Sequence, residues 1–465
     1  MNQALTGQLQ FSDTPLSADI DLIHRGTAIY TAEPEIEALL DQLDWPSAGS
    51  RLLDPGAGNG GFIVAALARL PLSENDIETA VKRVRGYEFH AGAAQIARRE
   101  IERHLVARNW TAHCAREAAS KILEIKDFLL SPVPVGQFDI IAANPPYWRI
   151  LQHLPPTSPY RYQYENQIPA HAKADLLYAY LDRAVDICAP NGRIGLITAD
   201  RWLLNQSSAR LREKIGARYT VIDIKRLESS SAFYRPKARR KGTPARVHPV
   251  SLLLSPGKNG RALTAAPFPI DPVPEVAGTP LSRIAKIRLA PWLGPDGIFT
   301  VTDPGSLPPH RLVPCVEPED ICSMGGVLKP SQKWAIRTEK TAPEASVLQH
   351  LENNLGSMPS RGRRSPFWLP PESFSGKLPL AEDAILIPRI ATRLRPILLP
   401  AGTMPINHNL VVVSGHPVNI LKSMIEHPLV QAQANSLALR LENGYRSYTA
   451  TLLRRLIIPE GLIPD

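Results

Sequence analysis

Over the first 255 residues the apolar positions switch repeatedly between two spacings. Residues 34–45, PEIEALLDQLDW, place them at i, i+3 and i+4, which predicts a short helix that Pro34 can open in its first turn. Residues 51–53 predict a short strand, 55–61 a turn and 62–70 a buried helix. The pattern then repeats, with strands predicted over 84–89, 138–142, 193–198, 220–224 and 249–254 and helices over 91–105, 175–187 and 209–215. Pro190, Asn191 and Gly192 stop the second of these helices. Strands alternating with helices predict an α/β fold, an open and mostly parallel sheet covered on both faces.

Beyond residue 256 proline and glycine become frequent, and helical spacing fades until about residue 420. A boundary near 255–259 divides the chain into residues 1–255 and 256–465. In the second part, 385–400 predicts two strands around a basic turn, 409–413 a further strand, and 419–437 and 447–456 helices. A length of 465 residues supports two or three domains. No run reaches the roughly 18 apolar residues of a membrane span, so no membrane partner is expected. Residues 1–18 lack the basic start and apolar run of a signal peptide. The four cysteines, Cys114, Cys188, Cys315 and Cys322, are scattered. They predict neither a disulfide framework nor a metal site, and they fit a reducing, cytoplasmic setting.

Charge changes the picture more than composition does. The formal charge is +9, yet between Arg201 and Val250 there are 13 Lys or Arg against three acids, a net of +10 that leaves −1 for the rest of the chain. Basicity concentrated in one segment predicts a polyanionic partner, DNA or RNA.

Candidate chemistry sits at the ends of the predicted strands. Asp54-Pro55-Gly56-Ala57-Gly58-Asn59-Gly60-Gly61-Phe62 follows the first of them, where open α/β sheets bind ligands. The glycines at 56, 58 and 60 let the backbone turn sharply and approach a ligand. Asp54 would repel a pyrophosphate but suits the ammonium group of S-adenosylmethionine. Glu88 ends the second strand, where a carboxylate can accept from both hydroxyls of a ribose, whether of that cofactor or of a nicotinamide dinucleotide. Asp127-Phe128 offers an acceptor for an adenine amino group and a ring to cover its face.

Asn144-Pro145-Pro146-Tyr147 follows the strand at 138–142. Its prolines stiffen the loop and remove two backbone donors. The Asn144 side-chain oxygen and the Pro145 carbonyl can then both accept hydrogens from one exocyclic amino group, turning its lone pair out of ring conjugation toward a methyl donor. Positioning and electrostatics drive such an in-line displacement. Tyr147 can stack on a flat substrate.

Taken together, these motifs resemble the N6-adenine DNA methyltransferases of restriction–modification systems, in the TaqI-like group whose cofactor motifs precede the catalytic one. The resemblance covers about residues 22–255. It implies a Rossmann-like class I S-adenosylmethionine-dependent methyltransferase sheet in residues 1–255 and a mixed α+β DNA-recognition domain in residues 256–465. It implies methyl transfer from S-adenosylmethionine to N6 of an adenine flipped out of double-stranded DNA. Asp54, Pro55, Gly56 and Gly58 correspond to the cofactor loop, Glu88 to the ribose acid, and Asp127 and Phe128 to the contacts of the cofactor's adenine. Asn144, Pro145, Pro146 and Tyr147 correspond to the catalytic tetrad, with Asn144 also bordering the cofactor. Residues 174–198 resemble the next helix–strand unit.

The resemblance also places Thr31, within Tyr30-Thr31-Ala32-Glu33-Pro34, at the methionine end of the cofactor. The stretch from Asp54 to Glu88 is longer than in the relatives, which predicts an inserted turn around 72–79. Phe233 corresponds to the aromatic that stacks on the flipped base. The Arg235, Lys237, Arg239, Arg240 and Lys241 cluster beside it would neutralise phosphates. In the second part Arg361, Arg363, Arg364, Arg389, Arg393 and Arg395 are candidates for phosphate or guanine contacts. The residues ahead of the glycine loop are too few for a nuclease, so any cognate restriction endonuclease is expected as a separate chain.

Two other acceptors pose the same chemical problem, an adenine in RNA and a protein glutamine. A glutamine-methylating enzyme accounts for the core but not for residues 256–465 or the basic run at 235–241. A DNA-binding protein without catalysis would have no use for the tetrad.

Overall fold

The computed structural model describes residues 15–234, 248–317, 320, 328, 332–373 and 379–463. The cluster Arg235, Lys237, Arg239, Arg240 and Lys241 lies outside the described residues. The chain divides into two compact units, Met1–Ile270 and Asp271–Asp465. The expected boundary at 255/256 thus moves to 270/271, because Leu263, Phe268 and Ile270 are buried in the core of the first unit.

The strands of the first unit are β1 (Tyr30–Thr31), β2 (Leu52–Asp54), β3 (Val84–Glu88), β4 (Leu123–Ile125), β5 (Phe138–Ala143), β6 (Cys188–Ala199), β7 (Tyr219–Arg226), β8 (Phe233–Tyr234), β9 (Pro249–Pro256) and β10 (Arg261–Ala262). Eight of them form one sheet in the order β10-β7-β9-β6-β5-β2-β3-β4. The run from β6 to β4 is parallel, and β9 lies antiparallel between β6 and β7. Successive residues of a strand point to opposite faces, so one face buries Leu53 and Ile141 against the helix Leu176–Ile187. The other buries Leu52 and Ile140 with residues of the helices Glu33–Gln42, Gly61–Ala68 and Ala91–Ala107. This is the doubly covered α/β sheet that the alternating pattern predicts. Its parallel strands bring Asp54, Glu88 and Asn144 to one edge.

Several elements of this unit carry weaker sequence signals. Helix Pro15–Thr27 packs Leu16, Ile20 and Ile23 on the core. The stretch around 72–79 is more than a turn, because the short helix Glu74–Asp76, capped by Ser73 and Asp76, leads into helix Ile77–Arg83. Helix Ala112–Ile122 passes directly into β4 with no glycine or proline between them to mark the change.

The second unit is mixed α+β. One four-stranded sheet orders Ala285–Leu289, Leu410–Ser414, Ala384–Ile387 and Ile397–Leu399 and shares a core with the helices Val418–Glu426 and Pro428–Leu437. The helix expected over 419–437 is therefore two, because Pro428 has no N–H to continue the first. The helix expected over 447–456 is shorter, Ala450–Arg455, preceded by the strand Arg446–Ser447. A second four-stranded sheet, with Leu312–Val316 and Lys333–Ile336 at its centre, and helix Ala345–Asn354 share another core. Among the described residues no helix is long and apolar enough to cross a membrane.

Candidate active site

β2 ends at Asp54, which is 1% exposed, and its Oδ1 accepts from the Gly56 amide at 3.1 Å. The loop thereby folds back over the strand end. Gly58 adopts φ +54°, and a Cβ there would meet the Tyr30 ring at 3.0 Å, so both backbone and space call for glycine. The Gly58 amide donates to Glu88 Oε2 at 2.9 Å and the His90 amide to Oε1 at 2.9 Å. One carboxylate at the end of β3 thus fastens the loop that follows β2. Burial pushes both Asp54 and Glu88 up to about 7. Backbone hydrogen bonds pull the other way, while the charge of Glu88 adds to the rise at Asp54, and that of Asp127 to the rise at Glu88.

These groups line a pocket that also includes His24, Thr27, Thr31, Phe89, Asn144, Pro146 and Tyr180. Among the described residues no lysine or arginine lines it. Acceptors that hold no matching cation suit a ligand rich in donors or positive charge. Helix Pro15–Thr27 forms one wall. His90 Nδ1 accepts from the Ala93 amide, which leaves Nε2 to donate to Asp21 Oδ1 at 3.0 Å, and the His24 ring stacks on His90 with centroids 3.9 Å apart.

Asp127 and Phe128 are placed differently from the rest. Asp127 Oδ1 accepts from the Leu129 and Leu130 amides at 2.7 and 3.1 Å, and burial raises its pKa. Neither residue is among those lining the pocket. Phe128 is fully buried, with its ring 5.1 Å from that of Tyr180 and the Arg183 guanidinium over it at 5.7 Å. The expected aromatic cover for a ligand ring, Phe128, thus stands outside the pocket lining. Its apolar character serves the core, and Phe89 lines the pocket instead, one residue beyond the acid at the end of β3.

β5 ends at Ala143, and the chain leaves the sheet at Asn144. Asn144 Nδ2 donates to the Ile29 carbonyl at 3.3 Å. The Tyr147 hydroxyl can donate either to Asn144 Oδ1 or to the Ile197 carbonyl, 3.1 Å away. It has one hydrogen to give, so turning to Ile197 releases the Asn144 oxygen. Burial and the nearby Asp175 push the Tyr147 pKa far above its usual range, which keeps the hydroxyl a donor. Pro145 is buried, and Pro146 lines the pocket.

Asp175 is not among the residues that the sequence marks out, although it lies in the motif at 174–198. Its Oδ1 accepts from the Trp148 and Leu177 amides, each at 3.1 Å, so it caps helix Leu176–Ile187 and ties that helix to the residue after the tetrad. Thr31 and Phe233 meet through the two-stranded pairing of β1 with β8, in which they are direct partners. Thr31 lines the pocket, and its buried hydroxyl has no hydrogen-bond partner among the described residues. Phe233 is half-buried beside it. Pro55 joins Asp54 to the loop and is not among the lining residues.

In the second unit Arg363 donates to the Met358 carbonyl and Arg364 to those of Pro370 and Pro371, while Arg361 lies over the Trp292 ring at 5.7 Å.

Residues 72–233, which hold Glu88, the tetrad and Phe233, match the Eco57I restriction-modification methylase family. The chain is 28% identical over 248 residues to the type II methyltransferase M.XhoI of Xanthomonas vasicola, covering 47% of this chain and 44% of that protein. It is 29% identical over 205 residues to the type II methyltransferase M.PaeR7I of Pseudomonas aeruginosa, covering 41% and 35% respectively. The matched region thus spans less than half the length of either curated relative. Among solved structures, the type IIL restriction-modification enzyme MmeI in complex with DNA superposes with a TM-score of 0.55 at 15% identity, covering 95% of this chain and 66% of that one. That likeness is one of fold. The first unit has the class I S-adenosylmethionine-dependent methyltransferase fold, with the antiparallel β9 inserted beside β6.

Proposed function

We propose that the chain is a site-specific DNA methyltransferase that transfers a methyl group from S-adenosylmethionine to N6 of an adenine flipped out of double-stranded DNA. The observation that carries this reading is the meeting of an acid-lined, glycine-walled pocket with Asn144 and Pro146. The family matched by residues 72–233 and the names of the relatives favour DNA as the acceptor. The amide–proline tetrad favours an exocyclic amino group, and hence adenine N6. The first unit would carry catalysis and the second unit recognition of the site. A restriction endonuclease on a separate chain would be the matching partner.

The residues present fit the cofactor. Asp54 and Glu88 are buried acceptors whose ionised forms a cationic, donor-rich ligand would stabilise. The orphan Thr31 hydroxyl lies in the same pocket. A Cβ on Gly58 or Gly56 would fill the space against Tyr30 or Tyr180. Asp54 and Thr31 would hold the methionine end, Glu88 the ribose hydroxyls, and Asp127 would act at the adenine end.

When bound, S-adenosylmethionine supplies a methyl group activated by its sulfonium. Asn144 Oδ1 and the Pro145 carbonyl accept the two amino hydrogens of the adenine, turn its lone pair out of the ring, and stabilise the charge that grows on nitrogen. Tyr147 frees Asn144 for this by turning its hydroxyl to donate to the Ile197 carbonyl, and its ring offers a stacking face. Phe233, paired with Thr31, supplies a second such face. The cluster Arg235, Lys237, Arg239, Arg240 and Lys241, directly after it, neutralises duplex phosphates.

The test is modification-sensitive sequencing of DNA from cells expressing the chain or its Asn144→Ala variant, with cofactor binding measured on both purified proteins. N6-methyladenine at one short motif, only with the intact chain, is the expected result. Wild-type turnover in the variant, or no DNA mark from the intact chain, would refute the proposal.

A further inference from the structure

A second cleft adjoins the tetrad. Asn144 and Pro146 line the first pocket, whereas Tyr147 lines this one, together with residues of the loop after the tetrad, the start of helix Leu176–Ile187 and the segment after β6. Its charged residues are Arg149, Arg201 and Asp175, joined by His153. The acid holds the Trp148 and Leu177 amides and lies within electrostatic reach of Arg149 and Arg201, which are both exposed and outnumber it. The open side of the cleft is therefore basic, in contrast to the pocket that holds Asp54 and Glu88. The half-buried Trp148 ring stacks on His153 with centroids 4.9 Å apart and planes 17° from parallel. Guanidinium groups beside an aromatic platform are what a nucleic-acid strand with splayed bases requires.

The geometry points to this cleft as the seat of the DNA strand that carries the target adenine, with Arg149 and Arg201 on the phosphates next to it and the Trp148–His153 pair against a neighbouring base. This rests on the methyl-transfer reading above and adds where the acceptor's backbone is held. Charge sorts the two substrates. The acids of the first pocket repel phosphate and the arginines of the second repel a cationic cofactor, so each ligand meets the tetrad from its own cleft.

The experiment compares the wild-type chain with Arg149→Ala/Arg201→Ala and with Arg149→Lys/Arg201→Lys. Methyl transfer is measured on unmethylated genomic DNA, and binding to a short fluorescent duplex is followed across a salt series. In the alanine pair, the slope of log affinity against log salt should fall by about 2, near 0.9 for each phosphate that is no longer neutralised. KM for DNA should rise on the order of tenfold, more than the rate at saturating DNA falls, with cofactor affinity unchanged. The lysine pair should restore the slope. An Arg149→Gln/Arg201→Gln pair gives the same readout if the alanine pair does not fold. An unchanged slope and KM in a folded variant, with Asn144→Ala still inactive, overturns the cleft assignment and leaves the methyltransferase reading standing. A wild-type chain that leaves DNA unmethylated overturns both.

Discussion

Replacing Asp54 with asparagine should stabilise the free protein, by a margin that grows as pH rises from about 4 to 7. Burial holds this carboxyl at about 7, against about 3.9 in an unfolded chain. The folded state therefore binds the proton more tightly, and stability falls as pH rises from about 4 through 7. A shift of about three units corresponds to roughly 4 kcal/mol once Asp54 is fully ionised, of which about 2.5 kcal/mol develops between pH 5 and pH 8. In Asp54→Asn the amide oxygen can still accept from the Gly56 N–H, a contact of 3.1 Å in the native protein, and it carries no charge. Glu88 titrates in both proteins, so the difference between them reports Asp54 together with its coupling to Glu88. The melting temperature of the ligand-free variant, relative to that of the native protein, should rise by roughly 5–10 °C between pH 5 and pH 8. The same charge should matter in the opposite sense for S-adenosylmethionine, whose affinity should rise from pH 6 to pH 8 in the native protein and less so in the variant. A gap that stays constant with pH, or a variant less stable at both ends, would refute the claim that burial holds Asp54 protonated.

The other predictions concern the loop, the tetrad and its support. Gly58→Ala must hold a left-handed backbone at φ +54° and push the Tyr30 ring, 3.0 Å away. Calorimetry should find cofactor affinity reduced about tenfold or more, with about 1–2 kcal/mol of stability lost. Tyr147→Phe removes a hydroxyl that serves Asn144 and Ile197 in turn; single-turnover methylation should slow by roughly three- to tenfold, the worth of one net hydrogen bond, with cofactor affinity unchanged. Asp175→Ala strips two amides, Trp148 and Leu177, of their acceptor, and a denaturant melt should show a loss of about 2 kcal/mol. Asp175→Asn keeps an oxygen for both and should melt near the native protein.

The parts of the site legible in the sequence are those whose residue type is forced by chemistry. A glycine that must adopt φ +54° beside Tyr30, an acid that must fasten Gly58, and an amide followed by two prolines leave little choice of residue, so spacing alone exposes them. Phe128 is less legible, because an aromatic after an acid is equally good core, and here it packs on Tyr180 behind the pocket lining. Helix Pro15–Thr27 had a signal in Leu16, Ile20 and Ile23, spaced four and three apart. Nothing local tells that His24 and Thr27 on the same helix line the pocket. Asp175 is invisible for a related reason. As a helix cap it looks ordinary, and its second partner, the Trp148 amide, lies 27 residues away in the chain.

The two acids of the pocket bear on how the free and bound states differ. Asp54 and Glu88 are both buried and both drawn up to about 7, and the charge of Glu88 adds to the rise at Asp54. Above pH 7 the ligand-free pocket therefore holds two carboxylates close together with no lysine or arginine among the residues lining it. A cationic cofactor with hydroxyl and amino donors removes that penalty as it binds. Its stabilising effect should then exceed what its contacts alone supply, by a margin that grows with pH, since whatever binds only the folded state adds its binding free energy to stability. A saturating amount of S-adenosylmethionine should raise the melting temperature more at pH 8 than at pH 6. A shift that is equal at the two values would mean that the acids do not meet the cofactor's charge, and the placement of its methionine end against Asp54 would have to be abandoned.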